Sequence, residues 1–67
     1  MINRRPHISL GTLPEFLRIV SEAQELELRR GNYVIFCTAT LNGTAYGFAA
    51  MPVETGAIKS AWKAAIE

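Results

Sequence analysis

The Asn42–Gly43 pair separates two stretches of residues that favour β-strands, 33–41 (YVIFCTATL) and 44–51 (TAYGFAAM). Both central residues of a tight type I′ turn need positive φ, which asparagine and glycine adopt at low cost. The sequence therefore predicts a β-hairpin with a two-residue loop. Its register pairs Leu41 with Thr44, Ala39 with Tyr46, Cys37 with Phe48 and Ile35 with Ala50.

A short strand and a helix are predicted ahead of this hairpin. Residues 7–10 (HISL) alternate between polar and apolar side chains, which is typical of a strand. Thr12 and Glu15 have the spacing of a capping box, and Pro14 suits a first helical turn because its missing donor costs nothing there. The apolar residues of this segment then recur with helical spacing: Leu13, Phe16, Leu17, Val20 and Ala23.

The end of this helix can be placed in two ways. Two arginines followed by a glycine at 29–31 (RRG) are typical of a last helical turn and its C′ position, so we interpret the segment as one helix that continues to this point. That interpretation places Gln24 and Glu27 on the apolar face of the helix. Residues 25–29 (ELELR) also alternate as a strand does, so a further strand followed by a second turn stays open as the alternative.

The last predicted element is an amphipathic helix. Pro52 ends the second hairpin strand, and Glu54 or Thr55 begins the helix. The apolar residues of the helix recur at i, i+3, i+4, i+7 and i+8, and they are Ile58, Ala61, Trp62, Ala65 and Ile66. We expect Trp62, at the centre of this stripe, to be a core residue.

Composition excludes several classes of protein. With 67 residues, of which 49% are hydrophobic, we expect one globular domain over 1–67, with residues 1–6 as a flexible basic arm. The single cysteine cannot form an intrachain disulfide. No apolar run approaches the ~20 residues of a membrane span, and none typical of a signal peptide follows the N-terminal arginines. We therefore expect a cytoplasmic protein that does not associate with membranes.

No set of side chains forms a recognisable catalytic or metal-binding motif. Cys37 lies among apolar strand residues, where burial raises the pKa of a thiol and hides it. The only histidine, His7, adds a second potential ligand where a structural zinc site needs about four. The glycines do not form a phosphate-binding pattern. We expect no enzymatic activity, no cofactor and no metal.

Together these elements predict a small single α+β domain with the order β-α-β-β-α, in which an antiparallel hairpin packs against two helices. If both helices cover the hairpin face that carries Tyr46 and Phe48, the base of the other face stays exposed. Val34, Phe36 and Met51 would then form an apolar patch, which typically marks a partner surface.

Charged residues predict further contacts around this patch. Glu22 and Glu25 belong to an acidic stretch that we place on the first helix, where it could dock a basic partner. Arg29 and Arg30 would lie at the end of the same helix, beside the patch.

The favoured hypothesis is a small non-catalytic module that binds another protein, such as a host protein or complex, and acts by occlusion. Inhibitors carried by phages or mobile elements, including anti-CRISPR proteins, have comparable size, and the analogy rests on size only. The same patch could instead close a homodimer. The alternative hypothesis is a nucleic-acid-binding transcriptional or translational regulator, which the net charge of +1 does not favour and which would use Arg4, Arg5, Arg29 and Arg30.

Overall fold

The computed structural model describes residues 7–66, so the predicted basic arm with Arg4 and Arg5 lies outside the described residues. In chain order the elements are β1 (His7–Ser9), α1 (Leu13–Val20), β2 (Glu25–Arg30), β3 (Ile35–Leu41), β4 (Thr44–Ala50), a 3₁₀ turn (Pro52–Glu54) and α2 (Thr55–Ile66). The predicted α+β class, with a hairpin packed against two helices, is confirmed. The observed order, β-α-β-β-β-α, contains one strand more than predicted.

The predicted hairpin is formed by β3 and β4. Asn42 and Gly43 both have positive φ, of 51° and 85°, as a type I′ turn requires. The predicted register is confirmed at all of its pairs, from Leu41 opposite Thr44 to Ile35 opposite Ala50. Tyr33 and Val34, which we placed in the first strand, instead belong to the loop that precedes β3.

The interpretation of residues 13–30 as one helix is wrong, and the strand that we left as the alternative is observed. Helix α1 ends at Val20, and β2 pairs with β3 in an antiparallel register from Glu25 opposite Thr40 to Arg30 opposite Ile35. A longer helix would have buried Gln24 and Glu27. The strand leaves both of these side chains exposed and turns the leucines between the charges towards the core.

The sheet is mixed, with the strand order β1-β4-β3-β2. Strand β1 pairs in parallel with β4, and the N–H of Leu10 donates to the Gly47 carbonyl at 2.8 Å just beyond its end. Thr12 is the N-cap of α1, as predicted, but it does not form the reciprocal capping box. Its hydroxyl donates to the Glu15 carboxylate at 2.9 Å, with no side-chain bond to the helix backbone.

Helices α1 and α2 cover one face of the sheet and build the core there. Phe16 and Val20 of α1 are fully buried, and the Phe16 ring stacks on Phe48 with ring centroids 5.4 Å apart. The other buried apolar residues of the described chain are Ala23, Cys37, Ala39, Ala50 and Ile58. Side chains of β3 and β4 point alternately to the two faces of the sheet. Cys37 and Phe48 point towards the helices, so the residues between them along each strand point to the opposite face.

Helix α2 begins at Thr55, one of the two predicted positions. Ile58, rather than Trp62, is the fully buried residue of its apolar stripe, while Trp62 is half-buried against the core. Ala65 is exposed. The expectation that Trp62 is the central core residue is therefore too strong, because the core contacts of α2 lie nearer its first turns.

We expect Gly43→Val to lower the free energy of unfolding by about 1–2 kcal/mol, because a β-branched side chain resists the left-handed conformation. A Cβ at this position meets nothing within 4 Å, so the loss would come from backbone strain alone. Thermal unfolding followed by circular dichroism measures the change. Gly11→Val is the matched control, because Gly11 also has open space but no positive φ. Equal thermal midpoints for the two variants would contradict the type I′ turn.

Candidate functional site

The sheet face opposite the helices is not covered by any helix of residues 7–66, and we call it the open face. Alternation along the strands and the pairing registers determine which side chains point to it. These residues are His7 and Ser9 from β1, Glu25, Glu27 and Arg29 from β2, Phe36, Thr38 and Thr40 from β3, and Ala45, Gly47 and Ala49 from β4. Most of them are polar or small, as is usual for the solvated side of an antiparallel sheet.

The small residues of β4 form the floor of a shallow depression of about 340 Å³ on this face. The His7 imidazole lies over Gly47, since a Cβ built on Gly47 would be 3.1 Å from His7 Cε1. Phe36 and Thr38 line the other side of the depression. The depression is open to solvent, and its described lining combines one imidazole with hydroxyl groups and includes no carboxylate, lysine or arginine. Cys37 also borders it, although its side chain points to the helix side of β3.

One end of the molecule carries a group of large apolar side chains that are more than half exposed, and we call it the apolar end. It consists of Tyr33 (88% exposed), Phe36 (53%), Met51 (57%) and Val53 (88%). Pairing of Ile35 with Ala50 brings the loop before β3 next to the chain that leaves β4. Pro52 accordingly lines the same small cavity as Tyr33 and Val34. The four side chains of the apolar end therefore lie at the same end of the sheet.

Cations border the apolar end on two sides. Arg29 lies directly opposite Phe36 on the open face, and Arg30 lies opposite Ile35 on the helix side. Arg30 and Lys59 line a groove of about 370 Å³, with Leu28 and Pro52 among its apolar lining. A partner that covers the apolar end would meet these cations at its rim.

The Phe36 ring has a defined neighbour at the end of β2. A Cβ built on Gly31 would come within 2.7 Å of Phe36 Cε2, so the ring lies directly against this glycine. The N–H of Gly31 donates to the Val34 carbonyl at 2.8 Å, which holds the loop in place. Gly31, predicted as the C′ residue of a helix, instead provides the space that Phe36 occupies.

The structure brings together most of the predicted partner-binding residues, and it separates two of them. Val34, Phe36, Met51, Arg29 and Arg30 all lie at or beside the apolar end. Glu25 lies near the Asn42–Gly43 turn at the other end of the sheet, and Glu22 lies in the loop that follows α1. The predicted acidic helix face does not exist, because Glu25 belongs to a strand of the open face.

Sequence reasoning missed three residues of this region. Tyr33 was placed in a strand, whereas it lies exposed in the loop after Gly31. Val53 follows Pro52 in the 3₁₀ turn and is 88% exposed. Lys59 reaches the groove beside Arg30 because α2 lies against that end of the sheet. The turn-forming residues before Tyr33 and Pro52 before Val53 were the available signals for the first two.

Cys37 is buried as predicted, at 2% exposure on the helix side of β3. Burial raises the pKa of its thiol, a hydrogen bond from the Ala50 backbone opposes this shift, and the Glu54 carboxylate adds to it. The thiol also lies 3.5 Å from the Ile35 carbonyl, to which it donates. A protonated, enclosed thiol is a poor nucleophile.

Among residues 7–66, no three histidine, cysteine or acidic side chains come close enough to hold a metal ion. Over the same residues, neither helix has the length and apolar character needed to cross a membrane. Comparisons with protein-family models, with curated proteins and with solved structures find no match. Any assignment of function therefore depends on the surfaces described above.

We expect Cys37 to react slowly with a disulfide reagent such as Ellman's reagent in the native protein. Its neutral form is favoured in the fold, so labelling should be limited by opening of the structure and should become fast in urea. The sign of the shift also predicts lower stability at alkaline pH. The unfolded chain releases the thiol proton near its ordinary pKa of 9.0, before the folded chain does.

Absorbance after mixing measures the labelling rate, and a Cys37→Ala variant provides the blank for both measurements. Immediate labelling without urea would show that the thiol is accessible, and it would contradict its burial.

Proposed function

We propose that this protein is a small non-catalytic module that binds another protein through the apolar end and acts by occlusion. The observation that carries this proposal is the grouping of Tyr33, Phe36, Met51 and Val53 at one end, each more than half exposed. Exposed large apolar side chains are ordinary when they are scattered, whereas a continuous group with a polar border is typical of an interaction surface.

The side chains of the apolar end suit a protein partner. Aromatic residues and methionine are enriched at protein interfaces, because they bury a large area at low entropic cost or adapt to irregular pockets. Covering Phe36 with a partner would stabilise the complex by roughly 25 cal/mol for each Å² of apolar surface removed from water. Because the Phe36 ring already lies against Gly31 on one side, binding has less side-chain motion to restrict.

The border of cations specifies the chemistry of the partner. Arg29, Arg30 and Lys59 lie around the apolar end, and the nearest open-face glutamates lie further along β2. The Glu54 carboxylate also lies at this end, where it accepts a hydrogen bond from the Met51 N–H at 2.7 Å, so cations outnumber it at the border. Opposite charges at the rim of an interface favour encounter and orientation. We therefore infer a partner with an apolar pocket bordered by acidic side chains, and blockage of that pocket as the mode of action.

Occlusion fits the chemistry of the chain as well as its shape. Cys37 is enclosed, and the described lining of the depression beside His7 offers no carboxylate, lysine or arginine to act with the imidazole. Inhibitors carried by phages or mobile elements, with anti-CRISPR proteins among them, work in this way at similar size. We propose that class, acting on a host protein or complex, as the biological setting.

A second candidate function, binding of single-stranded nucleic acid, is favoured by one observation. Arg29 lies directly opposite Phe36 on the open face, so a cation adjoins an exposed aromatic ring. A base could stack on the ring while its phosphate meets the arginine. Glu25 and Glu27 share that face and repel phosphates. Arg4 and Arg5, the other basic residues of this hypothesis, lie outside the described residues.

A salt titration separates the two functions. Phosphate contacts make affinity fall steeply as salt rises, whereas burial of apolar side chains is much less sensitive. Titration of fluorescent single-stranded DNA and RNA of mixed sequence, at low and at physiological salt, measures this directly. We expect no binding at physiological salt, and tight binding there would favour the nucleic-acid function.

We expect Phe36→Glu to abolish capture of the partner from a lysate of the source organism, because it removes the aromatic anchor and places a charge in an apolar pocket. Truncation of a hot-spot residue alone costs about 2 kcal/mol or more. Thr40→Glu is the matched control, since it places the same charge on the same strand and face at the far end of the sheet. Mass spectrometry compares the proteins that the two variants and the unchanged protein capture.

Circular dichroism checks that both variants fold. The proposal fails if folded Phe36→Glu captures the same protein as the unchanged chain, or if Thr40→Glu loses that protein equally.

A further inference from the structure

Strand β2 lies at the edge of the sheet, and within residues 7–66 no strand pairs with its outer side. Its backbone groups alternate in direction, as in every antiparallel ladder. The Gly31–Val34 hydrogen bond and the pairing register direct the N–H and C=O groups of Glu25, Glu27 and Arg29 towards β3. The N–H and C=O groups of Leu26, Leu28 and Arg30 therefore point outwards, where a further strand could bond to them.

The charges along this edge have an order that matters for pairing. A run of like charges on an edge strand repels a second copy and prevents association. In β2 the open-face side chains are Glu25, Glu27 and Arg29, so the sign changes along one face of one strand. An antiparallel copy of such a strand brings the acidic part of each chain next to the basic part of the other.

We propose that two copies of this chain pair edge to edge through antiparallel β2 strands, with the two-fold axis at Leu28. In this register Leu28 lies opposite Leu28 of the second copy, and Leu26 lies opposite Arg30. All of these residues have outward backbone groups, so each exchanges both hydrogen bonds with its counterpart. The two four-stranded sheets become one continuous sheet with both open faces on the same side.

The open-face charges select this register over its neighbour. With the axis at Leu28, Glu27 of each copy lies opposite Arg29 of the other, and no like charges are directly opposed. With the axis at Glu27, the two Glu27 carboxylates would face each other at the centre. Opposite charges across antiparallel strands stabilise pairing, and like charges oppose it by a similar amount.

The helix side of the seam carries Leu26, Leu28 and Arg30. Leu26 and Leu28 are only half-buried by the helices, and Trp62 borders a depression at this edge that includes Leu26 and the open-face glutamates of β2. Pairing would cover the leucines further, and the aliphatic part of Arg30 would lie on Leu26 of the second copy. The seam is short, so we expect a reversible dimer with a dissociation constant on the order of micromolar.

Sedimentation equilibrium of the pure protein from low to high micromolar concentration tests the pairing through charge reversal. Glu27→Arg and Arg29→Glu should each weaken the dimer about tenfold or more, because each opposes like charges on both sides of the axis. The double variant restores opposite charges with their positions exchanged, and it should recover the original dissociation constant to within about threefold. All of these positions are exposed, and circular dichroism confirms the fold of each variant.

Two further variants locate the seam. Glu25→Arg is the matched control, because in this register Glu25 lies opposite Gly31 and a change there should have little effect. Phe36→Glu should also keep the dimer, since Phe36 lies on β3. Phe36→Glu therefore tests the proposed function without disturbing the β2 seam, so failure of one proposal can be told from failure of the other.

A monomer at every concentration, or no recovery in the double variant, would overturn the pairing. If Glu25→Arg weakened the dimer as strongly as Glu27→Arg, the register would be wrong. If Phe36→Glu lost the dimer, the contact between copies would lie at the apolar end and not at β2.

Discussion

The two-residue turn at Asn42 and Gly43 organises more of this fold than the hairpin that it closes. The side-chain carbonyl of Gln24 accepts a hydrogen bond from the Asn42 N–H at 2.8 Å, and its amide donates to Asn42 Oδ1 at 3.3 Å. The backbone N–H of Gln24 donates to the Thr40 carbonyl at 2.8 Å. The turn therefore fixes the register of β4 on one side of β3 and holds the start of β2 on the other.

This contact explains why the chain leaves the helix where it does. At the end of α1 the Ser21 N–H donates to the Leu17 carbonyl and the Glu22 N–H to the Ile19 carbonyl, and the chain reaches Gln24 within a few residues. A longer α1 would give up the bonds from Gln24 to Asn42 and Thr40, and it would bury Gln24 and Glu27 without partners. The observed chain keeps the bonds of Gln24, leaves Glu27 exposed to solvent and supplies Leu26 and Leu28 to the core.

The sequence predicted the features that depend on local chemistry. Positive φ at Asn42 and Gly43, the N-cap at Thr12 and a start of α2 at Glu54 or Thr55 follow from neighbouring residues, and each is observed, with α2 beginning at Thr55. The secondary structure of residues 25–30 does not follow from neighbouring residues, because their sequence pattern fits both a helix end and a strand. The bonds of Gln24 to a turn 18 residues away decide between them, and no local pattern contains that information.

The same limit applies to the candidate site. Exposure of Phe36 could be predicted from the alternation of β3 alone, and Met51 was assigned to the same patch. The placement of Arg29 opposite Phe36 could not be predicted in this way, because it depends on residues 25–30 forming a strand. On a helix, Glu25 and Arg29 would be neighbours one turn apart. On a strand they lie about 13 Å apart, with the acidic part of β2 near the Asn42–Gly43 turn and the basic part near the apolar end.

That separation of charge along β2 links the two proposed contacts. If two copies pair in antiparallel fashion through β2, the loop at Gly31 of each lies beside Glu25 of the other, so the two apolar ends point away from each other along the seam. Phe36, Met51 and Val53 lie outside β2, so pairing leaves each apolar end uncovered, with Lys59 at its border. Arg29 and Arg30 belong to β2 and would lie in the seam as well as beside the apolar end. The dimer would then present two binding surfaces, and a target with two copies of the matching pocket would be held more tightly than by either surface alone.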